Sequence, residues 1–171
     1  MSQLLNEGEL EFDFSDDWLV FKYDKCAYYR RHFQDFANGT KAVDFVAYHQ
    51  ATKVLWLIEV KDYSEHSRTK PSEVVDEVAV KVRDTLAGLL AMRVRATDGS
   101  QAIAAQAMQF RSLRVALLIE QPAHHSATRI FNPMTIKDQM SRVLRPVDPH
   151  ALGGDRQALA AHLPCTVRRI P

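Results

Sequence analysis

The stretch that most constrains this chain is Val54-Leu55-Trp56-Leu57-Ile58-Glu59-Val60-Lys61. It is apolar at successive positions until its end, so both faces of an extended strand would be greasy. Such a run is stable only as a central strand covered on both sides. Lys41–Tyr48, just before it, is also rich in β-branched and aromatic residues, and His49-Gln50-Ala51-Thr52 between the two runs has the character of a hairpin turn. The two charges that end the buried run, Glu59 and Lys61, need a reason. A surface salt bridge, worth roughly 0–1 kcal/mol, explains them poorly.

The rest of the chain arranges itself around that hairpin. Leu10, Phe12 and Phe14 alternate with Glu11 and Asp13, a short strand signal. Ser15 or Asp16 could cap a helix over 17–36, although Trp18–Tyr23 could equally extend a strand. Asn38-Gly39 is a turn. Pro71 suits a first helical turn, and Val75, Val78, Val82, Leu86 and Leu89 recur at helical spacing, predicting an amphipathic helix over 71–94. Asp98-Gly99 ends it, and an alanine-rich helix follows over 101–110. Arg114–Glu120 reads as another buried strand. Asn132-Pro133 supplies an N-cap and first position for a helix over 133–144. A short helix near 155–162 and a strand near 165–170 finish the chain. The expected class is α/β: a mixed central sheet with helices on both faces. One domain over 1–171 is expected, with its core at 17–120 and a C-terminal extension at 121–171.

The 171 residues include 22 basic and 21 acidic side chains, net charge +1, which excludes a histone-like binder but not a local basic face. Cys26 and Cys165 stand far apart without metal-type spacing, which points to a reducing compartment. The chain shows neither a membrane-length apolar run nor a secretory leader, so a cytoplasmic location is expected.

Val43-Asp44 and Glu59-Val60-Lys61 carry the chemistry. Residues two apart in a strand share a face, so Glu59 and Lys61 point together. If the turn is centred on Ala51-Thr52, Asp44 sits opposite Glu59, where directly opposed Cβ atoms lie about 4.5–5.5 Å apart. A register slip of one residue would turn Asp44 away. Two neighbouring carboxylates repel unless a cation neutralises them. An oxygen-only cluster with room for water suits Mg²⁺, with Mn²⁺ as a substitute. The metal-assisted reaction such a set serves is phosphodiester hydrolysis, with Lys61 placing the water or offsetting developing charge.

Asp44, Glu59 and Lys61 on a hairpin flanked by helices resemble the PD-(D/E)xK nuclease superfamily, most closely small members similar to Holliday-junction resolvases and restriction-type endonucleases. The resemblance covers about 17–120 and implies a restriction-endonuclease-like core. It implies that Asp44, Glu59 and the Val60 carbonyl bind the metal, that Lys61 activates water, and that the substrate is nucleic acid, here DNA. Val43 stands where the family often has proline. Asp24, within the expected first helix, is the accessory acid the resemblance suggests, with Asp35 as its rival, and Lys81, bordering the apolar stripe, is the accessory residue on the following helix.

Other features have plainer readings beside the sharper ones. His66, Arg68 and Lys70 could hold phosphates or form a charged loop. Arg30-Arg31-His32 lies among Tyr28, Tyr29 and Phe33, a pattern that can stack single strands or simply pack a helix. His124-His125 reads as a loop pair. Lys81 and Asp84 could form a solvated flank. A homodimer would let two symmetric sites cut two strands. The rival functions are a non-catalytic nucleic-acid- or protein-binding module on the same fold, and an immunity-type partner whose acidic first segment contacts a basic protein.

Overall fold

The alternation at Leu10, Phe12 and Phe14 forms one strand of an N-terminal hairpin. β1 (Gln3–Glu7) pairs antiparallel with β2 (Leu10–Phe14), Glu7 opposite Leu10. Gly8 takes the first central position of the tight turn with φ +57°, a conformation that costs glycine nothing. The computed structural model describes residues 2–64, 73–121 and 132–170.

The helix expected over 17–36 is not there. Trp18–Lys22 is instead a strand, β3, followed by a single turn at Tyr23–Lys25 and a short, wide helical segment at Tyr29–Phe33. The alternative reading of Trp18–Tyr23 was the right one. Leu19 and Phe21 pack on one side of the main sheet and Trp18 and Val20 on the other, so period two prevails over helical spacing.

The hairpin forms as its residue pattern requires. β4 (Phe45–His49) and β5 (Val54–Asp62) are antiparallel, with Phe45 opposite Ile58 and His49 opposite Val54. Lys53, with φ +55°, takes the strained turn position. α1 (Val74–Arg95) and α2 (Gly99–Ala107) then carry the chain to β6 (Ser112–Glu120), which lies parallel to β5 along its whole length. Asp98 caps α2 by accepting from the Ser100 amide at 2.9 Å. Pro71, like His66, Arg68, Lys70 and the His124-His125 pair, lies outside the described residues.

α3 (Pro133–Val143) starts where Asn132 caps it, its Oδ1 accepting from Met134 N at 2.9 Å. β7 (Leu152–Gly154), α4 (Arg156–Leu159) and β8 (Thr166–Arg169) complete the chain. The main sheet runs β3-β4-β5-β6-β7, antiparallel on the β3 side and parallel on the β7 side. β1, β2 and β8 form a second, three-stranded sheet. The fold is therefore α/β with a mixed central sheet.

Each face of that sheet has its own core. On one face, Val46, Leu55, Leu57, Val115 and Leu117 pack with Val78, Val82 and Leu89 of α1 and with Ile136 and Met140 of α3. On the other, Phe45, Trp56, Ile58 and Leu118 meet Leu10, Phe12 and Phe14, with Leu159 of α4 joining them. Helices do lie on both faces, but the second is covered chiefly by the small sheet. β1 and β7 were not expected from the sequence.

Gly88 lets α1 approach the Tyr23 ring. A Cβ there would stand 1.9 Å from Tyr23 Oη and 3.0 Å from the Phe33 ring. Gly88→Ala is expected to lower stability by about 1–3 kcal/mol through overpacking, whereas an alanine in mid-helix would otherwise gain roughly 0.5–1 kcal/mol. Urea unfolding of the two proteins checks the sign.

Candidate active site

Asp44, Glu59, Lys61 and Lys81 meet where β4 begins and β5 ends. Glu59 follows Leu55 and Leu57 on the face that packs against α1, and Asp44 precedes Val46 on that same face. Continuing the observed register by one residue puts Asp44 opposite Glu59, the pairing the sequence predicts. α1 brings Lys81 across, one position before its buried Val82.

The sheet also prepares Asp44 from its backbone side. The Asp44 carbonyl accepts from Tyr23 N at 3.1 Å, extending the β3–β4 ladder. Residues 41–43 leave the β5 ladder and are held by α1 instead. Asp84 Oδ2 accepts from Lys41 N at 2.9 Å, and Thr85 Oγ1 accepts from Val43 N at 3.1 Å. Asp84 is therefore buried and anchors the approach to Asp44, correcting its reading as a solvated flank. The edge of β5 beyond Ile58 is then open to a side chain, and Asp44 Oδ2 accepts from Val60 N at 2.7 Å. In an extended strand the Val60 carbonyl points to the same side as its N–H.

The charges are packed closely. Glu59 is fully buried, and its Oε1 receives both Lys61 Nζ at 2.7 Å and Lys81 Nζ at 2.6 Å. Among the described residues, Glu59 Oε2 is buried with no hydrogen-bond partner. Burial, followed by the nearby Glu59 charge, pushes Asp44 up to about 7, against the opposing pull of Lys81 and the Val60 N–H. Burial works against the Lys61 charge, but Glu59 outweighs it and holds Lys61 above the usual lysine range.

Lys81 thus joins the site from the helix the sequence suggested. Asp24 sits in the single turn after β3 and pairs with Lys25 at 2.8 Å, and Asp35 is exposed. Neither lies on the continuous helix for which it was considered, because β3 takes residues 18–22 and only short helical turns follow it. Two acids, one neighbouring Asp44 and one buried, were not singled out from the sequence. Glu7, at the end of β1, lies close enough for its charge to raise Asp44 further. Glu77, one helical turn before Lys81, is buried. The i, i+4 spacing of Glu77 and Lys81 was the available signal for the second. Glu7 had none, because β1 reaches the site only through the fold.

A divalent cation fits this donor set. Among the described residues, no group of three or more His, Cys, Asp or Glu side chains converges on one metal position. Mg²⁺ commonly needs only one or two carboxylates and keeps water in its remaining positions. Asp44, the unpartnered Glu59 Oε2 and the Val60 carbonyl supply oxygens of that kind.

No family model matches the chain, and no solved structure matches it significantly. The chain is 28% identical to a cysteine–tRNA ligase from Neisseria meningitidis, over 71% of this chain and 22% of the ligase. It therefore spans about a fifth of that relative's length. No helix of the described residues is long and apolar enough to cross a membrane.

Proposed function

We propose that this domain is a metal-dependent nuclease with a PD-(D/E)xK-type site and a restriction-endonuclease-like core. The observation that carries the reading is the buried Asp44–Glu59 pair, with two lysines on one Glu59 oxygen and the other oxygen unpartnered among the described residues. A divalent ion held there would polarise a phosphoryl oxygen and acidify a bound water. Asp44 would give up its proton as it binds the ion, because a like charge and burial are what keep that proton in place. Lys61, on the strand beside both carboxylates, would orient the attacking water. Lys81 would lend positive charge to the developing phosphorane oxygens.

The substrate class follows from the chemistry rather than from overall charge, and DNA is the first choice. RNA belongs in the same assay, since the relative named above is a ligase for tRNA. Branched, linear and single-stranded DNA and tRNA should be incubated with Mg²⁺ or Mn²⁺. Wild type is expected to cleave at least one of them. Asp44→Asn, Glu59→Gln and Lys61→Met should each lose about a hundredfold to a thousandfold. Folded wild type that cuts none of them with either metal would refute the proposal.

One observation favours a second reading, a non-catalytic module on the same fold. Glu59 is already neutralised by Lys61 and Lys81 without any metal. Calorimetric titration of Mn²⁺ decides between the two, because a closed ion cluster takes up no metal and an active site does.

A further inference from the structure

The segment containing Arg30-Arg31-His32 divides its residues between two environments. Tyr29 and Phe33 are buried in the core on the α1 side of the sheet. Tyr28, half-buried against that core, lines with Arg31 and His32 a cleft of about 380 Å³, faced on its other side by Arg95, Ala96, Thr97 and Asp98. Tyr28 and His32 lie ring to ring, with centroids 5.4 Å apart. Arg31, His32 and Arg95 are exposed. The one acid of the described lining, Asp98, caps α2 through Ser100 and keeps its charge, which Arg31 feels, so the two guanidiniums outnumber it by one.

The cleft is also aligned with the site. Arg95 follows Lys81 by fourteen residues on one continuous helix. At ~3.6 residues per turn that is nearly four whole turns, so the two side chains leave α1 from almost the same face, about 21 Å apart. A strand that keeps the ~3.4 Å spacing of B-form stacking covers that distance in about six nucleotides.

We infer that this cleft holds an unpaired nucleotide of a single strand, its base stacked on Tyr28 and His32 and its phosphate between Arg31 and Arg95. Aromatic faces accept any base, and arginine forks suit phosphate oxygens, so binding is tolerant of sequence. The inference rests on nucleic acid being the ligand of the site described above, but not on its being cut.

Fluorescence anisotropy in chelator, where nothing is cleaved, tests it with a labelled twelve-nucleotide single strand, a twelve-base-pair duplex and a free mononucleotide. Tyr28→Ala, Tyr28→Phe and the double variant Arg31→Gln/Arg95→Gln are compared with wild type, their folding checked by circular dichroism. Wild type is expected to prefer the single strand. Tyr28→Ala should weaken it about tenfold, and Tyr28→Phe should keep it. The arginine variant should bind more weakly and with a shallower salt dependence. Unchanged single-strand affinity in Tyr28→Ala overturns the inference, as does a mononucleotide bound as tightly as the strand. Strand binding through the cleft by a wild type that cuts nothing in Mg²⁺ or Mn²⁺ upholds this inference while refuting the nuclease. Cleavage by a wild type whose strand binding ignores all three variants does the reverse.

Discussion

Glu59→Leu is expected to lower the unfolding free energy by about 3 kcal/mol, and Lys61→Met with Lys81→Met added to it should restore most of the loss. The carboxylate is fully buried, while the two ammoniums on its Oε1 are each nearly a fifth exposed, at 19% and 18%. Removing the acid alone strands two positive charges at the edge of an apolar core. Breaking a buried pair by deleting one partner typically costs about 3–5 kcal/mol. The low end applies here because the lysine stems can carry their charges toward water, and because Asp44, relieved of its neighbour, can take one of them. With all three charges replaced by apolar side chains, nothing is left unpaired. Urea unfolding of the single and triple variants measures both steps. A single variant as stable as wild type would show that Glu59 does not hold the two lysines.

The second large effect is a dependence of stability on pH that metal should reverse. Asp44 is pushed from an ordinary value of 3.8 to about 7 by burial and by Glu59. A carboxyl with a higher pKa in the folded state binds its proton more tightly there than in the unfolded chain. Its contribution is therefore fully present below about pH 4 and is lost as pH rises through about 7. In chelator, the unfolding free energy should fall by on the order of 2–3 kcal/mol between pH 5 and pH 8 because of this group. Asp44→Asn, which keeps an acceptor for Val60 N, should remove that slope and be more stable than wild type at pH 8. Millimolar Mn²⁺ should stabilise wild type most at pH 8, where no proton has to be displaced, and leave Asp44→Asn nearly unmoved. Equal slopes for wild type and Asp44→Asn would mean that Asp44 is ionised throughout. Such a trade of stability for a charged site is what a binding centre built on buried carboxylates entails.

The candidate site was legible to the extent that it is local. Glu59 and Lys61 follow from period two in one strand. Asp44 opposite Glu59 follows from the short turn and the matched apolar pattern, which set the register seen at Phe45 and Ile58. Asn132-Pro133 announced the start of α3 because capping depends on residues two or three apart, whereas Asp98, read as the end of the helix before it, also caps α2. Trp18–Lys22 was ambiguous because five apolar and charged residues fit either period, and pairing with β4 decided it. β7 is three residues with two glycines, and it forms a strand only because β6 offers an edge beside it.

By itself, then, the sequence determined the strands and helices whose signals lie within one element or one turn, and with them Asp44, Glu59 and Lys61, with Lys81 suggested from the following helix. The tertiary structure decided that Lys81 shares an oxygen with Lys61, that Asp84 and Thr85 hold the entry to Asp44, that Glu7 approaches from a second sheet, and that burial and Glu59 push Asp44 well above the usual carboxylate range. Burial and through-space charge create those properties. Both depend on which distant segments exclude water from a residue, and residue order alone does not encode that in any local pattern.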